Sequence, residues 1–317
     1  MSLMKYTRAF LFAFLLFALG CQEESTTTTQ DQSETPSEPT YNLQYNLEAD
    51  DAWMVKDQRI ETTTIDPGTP EEMTITMKTV ISRKYNSTGI DKENALNLSM
   101  NYNHVYAKYS GPDGEWEYDS AVPSTHREAG GLEFLAGESL EMRMDRNSGQ
   151  VFGMRGGNRL LEKMTGDSVA AQIGDQLMLE QAMPEFYIFP DGAVEVGANW
   201  ERSGSFSSRY NVNYTNTFTL ESRDGQTAVV KLNAAVSPIE AAQAIPGAGP
   251  DGAGIRHELT GTSTGTITVD EVSGKTNMRS STTNMEGHRL TLGPDGNEIS
   301  RSPIKIHIQR DSEISYK

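Results

Sequence analysis

The chain has 317 residues, with 27 basic and 44 acidic side chains and a net charge of −17. Such an acidic surface repels phosphate backbones and excludes nucleic acid as a partner class. A single cysteine, Cys21, excludes an internal disulfide.

The first predicted element is the N-terminus. Lys5 and Arg8 make a short basic segment, and Ala9 to Leu19 reads AFLFAFLLFAL, without a charge or a hydrogen-bonding side chain. That run is too short to span a hydrocarbon core, which takes about 20 helical residues. It suits the apolar region of a signal peptide, roughly 7–15 residues behind a basic start. Ala18 and Gly20 then lead into Cys21, which resembles the lipobox of bacterial lipoproteins, with Ala18 where that motif usually has Leu. The segment is read as a signal peptide over 1–20, cleaved between Gly20 and Cys21, with lipid added at Cys21. The acyl chains act together, at about 0.8 kcal/mol per buried CH2, so the anchor holds the chain on a bilayer without spanning it. Cleavage removes Lys5 and Arg8, which takes the net charge from −17 to −19.

Residues 22–40 read QEESTTTTQDQSETPSEPT, with no basic residue and nothing large and apolar. This segment buries too little to offset chain entropy and is expected to be a disordered acidic tether over 21–40. Glu23 and Glu24 resemble signals that send some lipoproteins to the outer cell surface. The expected location is the cell envelope, lipid-anchored at the outer membrane, on its periplasmic face or at the cell surface.

From Tyr41 onward the dominant period is two. Met73 to Ile81, Leu96 to Tyr102, Ala228 to Val236 and Ile304 to Ile308 each alternate apolar with polar residues. One-sided alternation marks antiparallel strands with one buried and one wet face. Pro-Asp-Gly at 112–114, 190–192, 250–252 and 294–296 supplies turns. Asn158 is expected to cap a helix through Leu160, Leu161 and Met164. Asp167 is expected to cap a second, with Val169, Ile173 and Leu177 as its apolar stripe and Pro184 as its end. The fold class is therefore mainly β (α+β): two related antiparallel curved-sheet halves, 41–157 and 185–317, joined by a helical connector, 158–184.

The relation between halves rests on two motifs. Ala49-Asp-Asp-Ala-Trp53 precedes the first strand set, and Val194-Glu-Val-Gly-Ala-Asn-Trp200 the second. Asp145-x-x-Ser148-Gly149 and Asp270-x-x-Ser273-Gly274 each sit between alternating segments, where a tight hairpin belongs. A duplication explains both, and two unrelated turns of similar chemistry are the alternative. Trp53 and Trp200 are expected to be buried anchors. Long irregular segments occupy matching places at 110–131 and 237–254, and Trp116 and Tyr118 make the first an expected exposed contact surface.

The Val-x-Val-Gly-x-x-Trp run, the Asp-x-x-Ser-Gly hairpins and the lipobox resemble an uncharacterised family of bacterial lipoproteins, known only as a domain of unknown function. The resemblance covers 41–315, although Gly197-Ala198 stands where that family has Gly-Asp. It implies no activity, so no catalytic residue transfers. Alternating strands under one helix are also similar to the half-barrels of lipoprotein carriers.

Catalytic motifs fail on context. Gly261-x-Ser263-x-Gly265 runs into a strand, where a nucleophile elbow needs a helix. Ser273-Gly274-Lys275-Thr276 has Val269 where a phosphate loop needs Gly. Ser302-x-x-Lys305 lies on a strand without its companion motifs. His104, His126, His257, His288 and His307 lack metal-ligand spacing. The 14 methionines fit core filling or an adaptable pocket. No enzyme activity, cofactor or metal is expected. The expected partners are a membrane, reached through the lipid anchor, and an apolar or amphipathic ligand held between sheet and helix. A structural or assembly lipoprotein contacting another envelope protein is the alternative, and a hydrolase the third reading.

Overall fold

The structure is a computed structural model that describes residues 40–122, 132–166, 170–206, 210–239, 254–293 and 295–315. Signal peptide, Cys21 and most of the expected tether lie outside the described residues. Twelve strands follow the period-two pattern: β1 Ala52–Ile65, β2 Met73–Ile90, β3 Ala95–Gly111, β4 Gly114–Asp119, β5 Ser139–Asp145, β6 Val151–Arg155, β7 Asn199–Phe206, β8 Val212–Arg223, β9 Thr227–Pro238, β10 Gly254–Asp270, β11 Thr276–Leu292 and β12 Glu298–Ser315. Two helices, α1 Gly157–Thr165 and α2 Gly174–Phe186, lie between β6 and β7. Among the described residues, no helix is long and apolar enough to cross a membrane.

All twelve strands form one antiparallel, curved, unclosed sheet. Its order is β6-β5-β3-β2-β1-β12-β11-β10-β9-β8-β7, with β4 pairing only with β3. The two strand sets therefore do not form separate sheets. β1 and β12 fuse them along a register from Met54↔Ser315 to Ile65↔Ile304. The helices carry the chain from the β6 edge to the β7 edge, and α2 packs on both.

The inner face is filled from both halves. Leu96, Leu98 and Met100 of β3, Leu140, Met142 and Met144 of β5, Phe218 and Leu220 of β8, and Ile267 and Val269 of β10 share one core. Leu43, Tyr45 and Leu47 of the entering chain fill that core, with Ile188 and Phe189 of the segment after α2. A smaller core lies around Ile65, Val212, Leu259, Met285, Ile304 and Ile306.

The two Asp-x-x-Ser-Gly segments form hairpins of one geometry, β5–β6 and β10–β11. In the first, Asp145 Oδ1 accepts from Ser148 N at 2.7 Å and Ser148 Oγ at 2.8 Å. In the second, Asp270 Oδ1 accepts from Ser273 N and Ser273 Oγ, both at 2.7 Å. Both hairpins close on the entering segment: Tyr45 N donates to Arg146 O, and Asn46 N to Ser273 O.

Several local expectations change. Asn158 does not cap α1; the cap is Gly156 in a left-handed conformation. Asn158 instead exchanges hydrogen bonds with Asp175 at the start of α2. This tie sits where Gly157 and Gly174 bring the two backbones together. Pro184 does not end α2, which runs two residues further. Ile173 is exposed, and α2 packs through Met178, Leu179, Ala182 and Met183 instead. Part of the segment 110–131 is a regular hairpin, because β4 pairs with β3 from Tyr106↔Asp119 to Gly111↔Gly114. Asp167, Val169, 123–131 and 240–253 lie outside the described residues.

Candidate functional site

Strand alternation and α2 together build a methionine-lined cavity of about 40 Å³. Met100 and Tyr102 come from β3, Leu140 and Met142 from β5, and Met154 from β6, while α2 supplies Met178, Ala182 and Phe186. Arg83 and Tyr85 of β2 form its polar wall. Flexible thioethers line both sides, so the walls repack at low cost when their contents change.

Behind that wall lies a layer of half-buried charge. Asp57 on β1, Arg83 on β2, Arg310 on β12 and Glu185 near the end of α2 form one network. Arg83 donates to Glu185 at 2.9 Å and to Asp57 at 3.3 Å. Arg310 donates to both oxygens of Asp57 at 2.8 and 2.9 Å, and to Glu185 at 3.3 Å. The Tyr85 hydroxyl donates to Glu185 at 2.9 Å. Burial alone would raise both carboxyl pKa values, but Arg310 and Arg83 outweigh it and hold them below the ordinary range. Burial raises the phenol of Tyr85 well above its usual value, and the adjacent Glu185 adds to the rise.

Arg279 on β11 borders the same layer. It pairs across the sheet with Ser312, which in turn pairs with Asp57. Its Nη1 donates to the Pro184 carbonyl at 2.6 Å.

The remaining sequence candidates are scattered. His104 shares a 2.7 Å hydrogen bond with Asp119, and His307 one of 2.7 Å with Asn284. His257 and His288 lie on β10 and β11, and His126 is outside the described residues. Among the described residues, no three His, Cys, Asp or Glu side chains gather in a way that could hold a metal. Ser263 lies within β10 and accepts a hydrogen bond from Thr283 at 2.8 Å. Ser273 and Lys275 belong to a hairpin, where Lys275 reaches Asp51 at 3.7 Å. Ser302 and Lys305 lie within β12. Lys305 faces an open cleft of about 480 Å³ on the outer side of the sheet, with Thr62, Thr262, Asn284, Glu286 and His307.

The tryptophans differ from one another. Trp53 is 5 % exposed and stacks on Tyr85, its cross-strand neighbour, at 5.2 Å. Trp200 is half-buried and stacks on its own cross-strand neighbour, Phe218, at 5.8 Å, with Nε1 donating to Ile188 O. Trp116 is not the exposed contact expected. It is half-buried, stacks on Tyr109 at 5.7 Å and packs against the main core.

Sequence reasoning named the methionines but missed the charged layer. The available signal was on β1, where Asp57, Arg59 and Glu61 alternate with Gln58 and Ile60. Alternation reports two faces but not which one is inside.

Comparison with known proteins gives little at the level of function. No curated protein matches the chain. A solved structure described as "Lipid-protein interactions in lipovitellin" is similar at 9% identity and a TM-score of 0.49, over 85% of this chain and 25% of that one. The chain thus spans about a quarter of that protein's length, and a likeness at this level carries no functional weight. Residues 93–276, more than half of the chain, match a family of unknown function, DUF6263, and the chain belongs to that family.

Proposed function

We propose that this chain is a non-catalytic, membrane-anchored envelope lipoprotein that binds an apolar or amphipathic ligand between its sheet and α2. The observation that carries the reading is the methionine-lined cavity beneath α2. Its present volume is close to that of one water molecule, about 30 Å³. Ligand entry therefore requires α2 to move outward. The Gly157–Gly174 contact and the Asn158–Asp175 exchange hold the base of α2 and supply the pivot. The anchor is read from the lipobox at Cys21, and the outer membrane is its proposed home.

A second proposal concerns origin. The hairpins at Asp145 and Asp270 fall between the fourth and fifth strands of successive meanders, when β4 is set aside as a branch. Trp53 and Trp200 each stack on the aromatic that faces them on the next strand. These correspondences support descent from a duplicated half.

The ligand test is native mass spectrometry of the purified chain before and after delipidation, with the neutral probe N-phenyl-1-naphthylamine as reporter. Wild type is expected to carry co-purified apolar material and to bind the probe. Ala182→Phe fills the cavity and should weaken probe binding about tenfold, at roughly 1–3 kcal/mol of stability for overpacking. Undiminished probe binding by a folded Ala182→Phe variant contradicts the cavity as the site. For the anchor, Cys21→Ser should abolish labelling by a fatty-acid analogue, and equal labelling of both chains contradicts the lipobox reading.

A further inference from the structure

Arg279 is 7% exposed and, among the described residues, makes a single hydrogen bond, to a backbone carbonyl. Its Nε is also buried and has no partner among the described residues. Asp57 and Glu185 are both engaged by Arg83 and Arg310. The layer thus holds three guanidinium groups against two carboxylates. A buried cation without a paired anion is costly, and a bound anion would offset that cost. Burial lowers the pKa of Arg279 to about 10, with Arg310 as the next cause, and it remains a cation at neutral pH.

The position of this cation relates it to the cavity. Three consecutive residues at the end of α2 connect them: Pro184 accepts from Arg279, Glu185 from Arg83 and Arg310, and Phe186 lines the methionine cavity. Arg83 itself belongs to both the cavity wall and the charged layer. Arg279 does not itself line the cavity, so a head on a tail held there would reach it only as α2 moves outward, the same movement that ligand entry requires.

We propose that the ligand is an anionic amphiphile whose carboxylate or phosphate head is received by the free edge of Arg279, while its tail occupies the methionine cavity. This inference rests on the cavity reading above and adds the charge of the head. A planar guanidinium with free N–H groups suits either oxyanion. Glu185 and Asp57 oppose a third anion nearby, so the head must bond Arg279 directly.

The test is calorimetric titration of the purified, delipidated full chain with dodecanoate, dodecyl phosphate and the neutral control dodecanol. Wild type should bind at least one of the two anions about tenfold or more tightly than dodecanol, as a charge-assisted bond requires. The tighter of the two identifies the head as carboxylate or phosphate. Arg279→Met should bring the anion down to the level of dodecanol measured on the same variant, while Arg279→Lys should keep part of the preference. If Arg279 serves only to hold the end of α2, Arg279→Met would lower the melting temperature and keep the anion preference, which overturns the proposal. Equal binding of anions and dodecanol by wild type also overturns it, and leaves the apolar site standing. Failure of all three ligands to bind removes the cavity reading together with it.

Discussion

At the scale of single residues, two glycines decide how closely the hairpins approach their neighbours, the end of α2 for one and the entering chain for the other. Gly149 has φ +80, and a Cβ there would lie 1.8 Å from Phe186 O; Gly274 has φ +74, and its Cβ would lie 2.1 Å from Gln44 O. Gly225 has a similar φ of +91 but open space around it. A left-handed backbone costs a residue with a Cβ about 1–2 kcal/mol, so Gly225→Ala measures that term alone. Gly149→Ala and Gly274→Ala add a clash with backbone that cannot turn aside, and each is expected to cost about 1–3 kcal/mol more, as overpacking does. Urea melts of the three variants check this. Equal losses at all three positions would mean that the hairpins are not held against the Phe186 and Gln44 carbonyls. The aspartates of the same corners act locally, since Asp145 satisfies three N–H or O–H donors of its own turn and Asp270 two.

At the scale of elements, the tryptophans report how firmly each strand end is packed. Trp53→Ala removes a buried ring stacked on Tyr85 and should cost about 3–5 kcal/mol. Trp200→Ala removes a half-buried ring and the indole bond to Ile188 O, and should cost roughly 2–3 kcal/mol. Trp116→Ala loses a stacked pair between β3 and β4, expected at about 1–2 kcal/mol. Denaturant melts should give that order, and a Trp116 loss as large as that of Trp53 would place β4 in the central core. These elements also show what the sequence could convey. Strand identity was legible because alternation is local, and each hairpin was legible because Asp, Ser and Gly act within their own turn. The branch β4 was not, because its pairing with β3 depends on a turn at Pro112–Gly114 that fits a loop equally well. Nor was the packing face of α2, because the apolar residues expected to form its stripe belong partly to the turn before it, where Ile173 is exposed. The candidate site was half legible: methionine content pointed to an adaptable interior, but inward charges on β1 and β11 carry the same alternation as outward ones.

At the scale of the whole molecule, the charged layer ties together four strands and α2. β1 and β12 meet from opposite ends of the chain, and Arg310 reaches Asp57 across that seam. Glu185 adds the helix to the same network through Arg83 and Arg310. The layer should therefore give stability a particular dependence on pH. In the unfolded chain, carboxyls such as these titrate near 3.9 for Asp and 4.3 for Glu, approximately. In the fold both lie lower, because the guanidinium groups outweigh burial. A depressed carboxyl pKa gives stability that is present above the unfolded value and is lost as pH falls through the folded one. Thermal melts should accordingly be nearly level from pH 7 to pH 5 and fall steeply below about pH 4. Many other carboxylates contribute to any acid transition, so the comparison with Glu185→Gln isolates the layer. That variant leaves Arg83 and Arg310 underpaired and should cost about 1–3 kcal/mol at pH 7, less than breaking a fully buried pair because the group is half-buried. It should also lose less than wild type between pH 5 and pH 3, because it has one depressed carboxyl fewer to protonate. If both chains lose the same stability over that interval, Glu185 does not carry a buried charge at neutral pH. The helix would then be held on the sheet by its apolar face and by the bonds of Arg279 and Tyr45 to its last carbonyls.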